Sequence, residues 1–308
     1  MKTAVIASAG LTLAPSVMAQ AGPRKRRYAQ VGTGSRARMY QKAIQSTYRD
    51  HAQLVGMCNL NAGRLELARQ RSLEYSAPIP PGYAPDDFER MVKETKPDYL
   101  IVTTMDSTHD NYIVRGLEAG CDVITEKPMT TDATKVGKIQ DAVKRTGRKV
   151  RECFNYRYTP ARSQVKELLM DGRIGDLLSV DFHWLLNTQY GADYFRRWHG
   201  EKKYSGGLMV HKVTHHFDLV NWWVGSNPMI VTAMGKREFY TPEMAKRLGL
   251  ESYHMSAAKL ARKRLNALSV WIWPPVHHSN RSTSTRSIMM AISGIGVCSI
   301  HVLISRIR

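Results

Sequence analysis

Residues 28–39 read YAQVGTGSRARM, and the fold turns on how this stretch is read. An apolar run meets Gly32-x-Gly34-x-x-Ala37, and a helix-compatible segment follows. The pattern is that of a strand bending tightly into a helix over the diphosphate of a dinucleotide. Gly32 can take the backbone angles of the bend, Gly34 has no Cβ to hold a pyrophosphate off, and Ala37 lets helix and strand pack closely. The N–H groups of the helix start, at Ser35 and Arg36, then face an anion. Glycine-rich turns also occur simply as turns, so the motif takes its weight from what surrounds it.

What surrounds it is a strand–helix rhythm. AQLVGMC (52–58) predicts a strand, followed by a helix over NAGRLELARQRS. Pro85-Asp86-Asp87 opens a helix that Pro97 ends. DYLIVTT (98–104) is an apolar, β-branched run suited to a strand buried on both faces. Ser107 is the expected cap of the next helix, with Gly120 past its end. CDVIT (121–125) and RKVREC (148–153) are further strands, flanking a helix that starts at Thr130 or Thr131 and runs through Lys144. Such alternation implies an α/β fold with a doubly wound parallel sheet and helices on both faces. After Phe154 the rhythm changes. The pattern predicts a helix over 160–170, a long strand over 176–186, a helix that follows Ser205-Gly206-Gly207 and runs through Trp223, and a strand over 228–239. A second α/β domain with an open, mostly antiparallel sheet is the expectation.

The 308 residues suffice for two domains of ordinary size. A net charge of +19 suggests a nucleic-acid partner until its distribution is considered. Residues 1–27 hold five Lys/Arg and no acid, and residues 251–308 hold eight Lys/Arg and one acid. The excess thus sits mostly at the two ends, which argues against nucleic acid. The four cysteines, Cys58, Cys121, Cys153 and Cys298, form no CxxC pair and read as free thiols. Lys2 followed by TAVIASAGLTLAPSVMAQA resembles an export leader of the twin-arginine type, with small residues at Ala19 and Ala21 suited to cleavage. It predicts a periplasmic or exported protein with no membrane span after cleavage, and a cytoplasmic one if the leader does not act. RKRR (24–27) reads as a solvated linker. Residues 252–308 contain ten serines and no Asp or Glu. They read either as a basic tail or as translation out of frame from near Leu250, because a globular domain rarely drops all its acids over such a length. The plan is therefore a leader and basic linker over 1–27, a dinucleotide-binding domain over 28–153, an incomplete substrate domain over 154–250 and an atypical tail over 251–308.

Within this plan, DYLIVTTMDSTHDNYIVRGLEAGCDVITEKP (98–128) resembles the Gfo/Idh/MocA family of nicotinamide-dependent oxidoreductases. The likeness extends over roughly residues 28–250 and includes the glycine turn, the Cys58-Asn59-x-Asn61 corner, CFNYRYTPA (153–161), Gly172-Arg173-Ile174-Gly175 and GGLMVHKVTHHFD (206–218). It implies a Rossmann domain followed by an α/β domain whose open sheet covers the cofactor, NAD or NADP as that cofactor, and a homo-oligomer built through the open sheet. Lys127 of Glu126-Lys127-Pro128 matches the family lysine beside the nicotinamide and the reacting carbon. Thr103, Thr104, His109, Glu126 and Asn155 fall in the segments that lead to the cofactor. The family usually carries an Asp four residues before a catalytic His. Here His211 takes the Asp position and His215 matches the His, so His215 is the implied general acid/base and His211 its orienting neighbour one helical turn earlier.

The residues add their own readings. His211 and His215 have the i, i+4 spacing of a helix-borne metal pair, but no HExxH glutamate accompanies them, and the expected site is metal-free. Asn59 stands where such folds often carry an acid for the ribose. Its amide does not repel a 2′-phosphate, and Arg36 and Arg64 are candidate partners for one, which keeps NADP beside NAD. Tyr156, Arg197 and Trp198 offer ring faces and a guanidinium fork suited to a sugar-like substrate. The implied activity is hydride transfer between NAD(P) and a secondary alcohol of a sugar or cyclitol. Two alternatives stand beside it: an NAD-dependent glycosidase of the α-N-acetylgalactosaminidase-like type, and an inactive or binding-only protein with an altered C-terminus.

Overall fold

The computed structural model describes residues 24–185, 194–195, 197–232, 239–249 and 298–300. Six strands, β1 (Arg26–Val31), β2 (Ala52–Cys58), β3 (Gly82–Tyr83), β4 (Tyr99–Val102), β5 (Asp122–Glu126) and β6 (Val150–Cys153), form one sheet in the order β3-β2-β1-β4-β5-β6. All neighbours pair in parallel. This is the Rossmann order, and its direction reverses between β1 and β4, the place where open α/β sheets receive ligands. The crossovers are α1 (Ala37–Lys42, continued by a π-helical turn over Ala43–Thr47), α2 (Ala62–Gln70), α3 (Phe88–Thr95), α4 (His109–Glu118) and α5 (Ala133–Thr146). Two apolar clusters lie on the two faces of the sheet. Leu100 and Val102 of β4 pack with Phe88, Met91, Ile113 and Leu117, whereas Ile101 packs with Ile44, Leu54 and Ala68. Helices on both sides therefore explain why the β4 run is apolar at consecutive positions rather than at alternate ones.

Several boundaries differ from the sequence reading. Arg26 and Arg27 belong to β1 instead of a solvated linker: Arg27 donates from its guanidinium to the Thr95 and Lys96 carbonyls, and Arg24 pairs with Asp98. Ser107 does not cap α4; it lies in a 3-10 turn, Asp106–Thr108, that leads into the helix. The cap of α5 is Asp132, whose carboxylate accepts from the Lys135 N–H at 3.0 Å, while Thr130 and Thr131 are buried before it. A carboxylate two bonds from the backbone reaches the third N–H of the first turn and wins the cap position.

Beyond β6 the chain forms α6 (Pro160–Met170), as its pattern indicates. Of the strand predicted over 176–186, the described residues 176–185 form only β7 (Phe182–Trp184), which pairs antiparallel with β8 (Cys298–Ile300) from the tail. Residues 228–232 form no strand, and 233–238 lie outside the described residues. An apolar run becomes a strand only where a neighbour completes its ladder, and β8 spans three residues. A short helix, α7 (Lys202–Ser205), comes first, and the helix predicted after Ser205-Gly206-Gly207 is two pieces, α8 (Leu208–His211) and α9 (Thr214–Val224). Gly206 and Gly207, at φ 73° and 86°, separate α7 from α8, and Lys212-Val213 separates α8 from α9. His211 and His215 therefore do not share one continuous helix. α9 packs on α6, with Trp223 Nε1 donating to the Arg162 carbonyl at 3.0 Å and Arg157 forming a two-pronged ion pair with Asp218. A last short helix, α10 (Pro242–Arg247), is capped by the Thr241 hydroxyl. The leader, the boundary near Leu250 and most of the tail lie outside the described residues, among which no helix is long and apolar enough to cross a membrane.

The two glycines of the first turn differ in what they require. At Gly32, φ is 87° and a Cβ would lie 2.5 Å from the Thr103 carbonyl oxygen, whereas a Cβ at Gly34 meets no protein atom within 4 Å. Gly32→Ala is expected to destabilise the fold by about 1–3 kcal/mol, the usual cost of a strained backbone position, and Gly34→Ala to leave stability unchanged. Urea unfolding of the two variants checks this; equal midpoints contradict it.

Candidate active site

The glycine turn is tied to both strands that flank it. The Gly32 N–H donates to the Cys58 carbonyl at 2.9 Å, and the Thr103 hydroxyl donates to the Gly32 carbonyl at 2.7 Å. Asn59 accepts from the Thr33 N–H at 3.2 Å and donates to the Asn61 carbonyl at 2.9 Å, so its amide braces the turn against the end of β2. Asn61 in turn caps α2 by accepting from the Arg64 N–H. Ala37 is buried, and Gln30 donates to its carbonyl. Ser35 and Arg36 lie on the exposed side of the turn. Two observations fit a nucleotide here: the empty space over Gly34, which no protein atom explains, and the buried Thr33 hydroxyl, which has no partner. The Arg36 guanidinium is engaged elsewhere. It and the Tyr40 hydroxyl both donate to Glu126 Oε1, each at 2.8 Å, which neutralises a carboxylate buried at the end of β5.

Glu126 leads into Lys127 and a cis peptide at Pro128. His109, at the start of α4, holds this segment: its ring nitrogens lie 2.9 Å from the Pro128 carbonyl and 3.3 Å from the Thr104 carbonyl. The Thr104 hydroxyl accepts from Thr108. His109 is thus a brace between the ends of β4 and β5 and is itself 1% exposed, too deep to serve as a surface ligand.

Lys127 projects toward α8. Its Nζ donates to the His211 carbonyl at 2.7 Å and lies 3.5 Å from His211 Nε2. Burial pulls the ammonium down to about 8, against the opposing pull of the Asp106 charge. On its other side, His211 Nδ1 lies 2.5 Å from Asp106 Oδ2. Asp106 sits in the turn after β4 and is pushed up to about 6 by burial, a rise that the His109 and Lys127 charges oppose. Burial, then the Lys127 and Lys212 charges, push His211 well down. At neutral pH this leaves a carboxylate, a neutral imidazole and an ammonium in a row, with the Nδ1–H donated to Asp106.

His215 and His216 face a different environment. The His215 ring lies flat on Tyr156, with centroids 4.0 Å apart and planes 3° from parallel, and Phe154 meets its edge. Its Nδ1 is buried without a partner, as are both ring nitrogens of His216. Tyr156 is a packing residue as well as a wall: Lys212 Nζ donates to its hydroxyl at 3.1 Å, and the Arg162 guanidinium covers its ring. Trp198 stacks on His199 at 3.9 Å and approaches His211 at 6.0 Å, so it borders the Lys127 cluster, while Arg197 is exposed beside it. Asn155 is exposed, and Arg64 lies on the exposed first turn of α2.

The structure thus gathers Lys127, His211, Thr104, His109 and Glu126 at the carboxyl ends of β4 and β5, close to the glycine turn. It adds residues absent from the sequence reading. Asp106 is the chief one, and its signal was position alone: an acid in the turn that follows a central strand at the switch point. Glu152 is another, its carboxyl pushed up to about 7 by burial and accepting from the Met129 N–H at 2.9 Å. The described residues contain no group of three His, Cys, Asp or Glu able to hold a metal ion. Cys58 and Cys121 are buried free thiols, each pushed up to about 11 by burial.

Comparison with known proteins gives the same outline. A family model described as "Oxidoreductase family, NAD-binding Rossmann fold", GFO_IDH_MocA, matches residues 26–154, and the family's "C-terminal alpha/beta domain" matches residues 166–256. YteT of Bacillus subtilis is 40% identical over 213 residues, covering 69% of this chain and 49% of that protein. Inositol 2-dehydrogenase of Rhizobium meliloti is 31% identical over 136 residues, 44% of this chain and 39% of the relative. The chain therefore spans about half the length of the curated relatives it matches, or less. Among solved structures, the WlbA dehydrogenase from Chromobactrium violaceum, in complex with NADH and UDP-GlcNAcA, superposes with a TM-score of 0.56 at 25% identity, over 68% of this chain and 57% of that one.

The buried imidazoles set the acid limit of the fold. Burial holds His199 and His216 down to about 4 and His215 to about 3, and it pushes His211 down as well. Their lowered values contribute stability that is present above the ordinary histidine value and lost as pH falls through it, since the unfolded chain then binds protons that the folded one refuses. Asp106 and Glu152, raised to about 6 and about 7, act in the opposite sense, but they are two groups against four. Melting temperature is accordingly expected to fall as pH is lowered from about 6.5 to about 4.5; a flat or rising profile in differential scanning calorimetry contradicts this.

Proposed function

This chain belongs to the Gfo/Idh/MocA oxidoreductase family, and on that premise we propose that it transfers hydride between NAD(H) and a secondary alcohol of a sugar or cyclitol. The observation that carries the reading is the half-buried Lys127 ammonium beside His211 at the sheet's switch point, next to a glycine turn open above Gly34. The nicotinamide, when bound, supplies the hydride acceptor. Gly32, Gly34, Ser35 and Ala37 form the diphosphate turn, with Asn59 and Thr103 bracing it. Lys127 donates a hydrogen bond to the reacting oxygen and offsets the negative charge that grows there. A value near 8 keeps it charged at neutral pH, and the neutral imidazole beside it accepts the proton.

The walls of the site and the relatives support this substrate class. Trp198, Tyr194 and His199 surround His211 with ring faces, an environment suited to the apolar face of a sugar or cyclitol ring. The Rhizobium relative is named an inositol dehydrogenase, and the WlbA structure holds a UDP-sugar. NAD is favoured over NADP because Arg36, the guanidinium beside the turn, is already paired with Glu126 and does not stand ready for a 2′-phosphate.

The test is direct. Purified protein with inositols or sugars and NAD should show net growth of the reduced-nicotinamide absorbance; sugar release from a glycoside without that growth would point to the glycosidase chemistry. Lys127→Ala should lower kcat about 10²–10⁴-fold while nucleotide affinity persists, and Gly34→Ala should weaken nucleotide binding in a protein of unchanged stability. The oxidation rate should rise with pH near 6, where Asp106 ionises, and fall near 8, where Lys127 loses its charge. A profile rising steadily from pH 5 to 10 sinks this assignment of the two groups.

A further inference from the structure

Two histidines compete for the proton of the reacting hydroxyl, and their surroundings are unequal. An effective base needs a nitrogen able to meet the substrate and a counter-charge for the imidazolium it becomes. His211 has both. Its Nδ1 is held by the Asp106 carboxylate at 2.5 Å, and its Nε2 lies 3.5 Å from Lys127 Nζ. One oxygen can bridge that gap, accepting from the ammonium and donating to the imidazole. His215 lacks the counter-charge: its ring is stacked flat on Tyr156, its Nδ1 is buried and unpartnered, and no carboxylate among the described residues pairs with it.

Resting on the dehydrogenase reading above, we propose that His211 is the general acid/base of this site and that Asp106 is the positioning residue that makes it one, with His215 serving as packed support. Asp106 fixes the Nδ1–H tautomer, aims Nε2 at the substrate and stabilises the imidazolium. In alcohol oxidation the substrate O–H bond breaks and an Nε2–H bond forms; the carbinol hydride leaves to the oxidised nicotinamide and the C–O bond becomes a carbonyl. Lys127 keeps its proton and holds the oxygen throughout. The contact also crosses the fold: Asp106 follows β4 of the Rossmann sheet and His211 ends α8 of the second part, so the base is complete only when the two are docked. Gly206 permits the docking. A Cβ there would lie 2.7 Å from the Thr131 carbonyl oxygen, on the chain that follows Lys127. Among the described residues, the other groups around His211 are Lys212 on its own segment, His199, Trp198 and Tyr194, of which Lys212 alone carries a fixed charge.

Nitrogen NMR of histidine-labelled full-length protein, with the His211 signal identified by its loss in His211→Gln, reads the tautomer without any cofactor. The wild type should show the Nδ1–H form at neutral pH. Asp106→Asn, whose amide can donate where the carboxylate only accepts, should shift the signal toward the Nε2–H form. In turnover, Asp106→Asn should lower kcat about 10²–10⁴-fold with KM little changed, Asp106→Glu should recover part of the loss, and His211→Gln should cost more than His215→Gln. Unaltered kcat or an unaltered tautomer in a folded Asp106→Asn variant overturns the assignment, as does a larger loss from His215→Gln. A wild-type protein that oxidises no polyol with either nucleotide overturns the dehydrogenase reading and this assignment with it, whereas wild-type turnover with an indifferent Asp106→Asn overturns this assignment alone.

Discussion

A largely desolvated ammonium is the constraint around which this molecule is arranged. Lys127 follows β5, an inner strand of the sheet, and loses much of its contact with water as it reaches toward α8. A cation in that position must find acceptors or give up its proton. The partners come from both halves of the chain: the His211 carbonyl and imidazole from one side, the Asp106 charge from the other. Its immediate neighbour, Glu126, would add a second unpaired charge, but Arg36 and Tyr40 absorb it. Docking of the second part onto the Rossmann sheet and solvation of Lys127 are therefore one event in energetic terms.

The same logic explains which side chains support the site without meeting a substrate. Asn59, Thr103 and His109 lie in segments that lead toward a cofactor, and each spends its polar atoms on the backbone of a neighbouring loop. They hold three loop ends in register, β1 to β2, β1 to β4 and β4 to β5. Position in such a loop is visible in a sequence, but the choice between touching a ligand and bracing a loop depends on which partners lie within three ångströms or so.

Much of the Rossmann half was legible because its elements are locally specified. The glycine turn, the continuous β4 run and the amphipathic α3, α4 and α5 carry their own signals, and a parallel sheet with covered faces follows from their alternation. The second half was less legible. β7 is shorter than its apolar run because strand structure depends on a partner elsewhere in the chain, and the helix after Gly207 breaks at Lys212-Val213. That break undid the expectation that His211 and His215 share one helical face.

By itself, then, the sequence determined the order of strands and helices to residue 170 apart from the two-residue β3, the glycine turn at Gly32 and Gly34, and the presence of a lysine and two histidines suited to proton and hydride chemistry. Tertiary structure alone decided how those groups are paired. Asp106 and His211 are separated by 105 positions, and a contact at that distance leaves no periodicity or spacing to read; it exists only because two strand ends and a docked helix converge on one place in the fold.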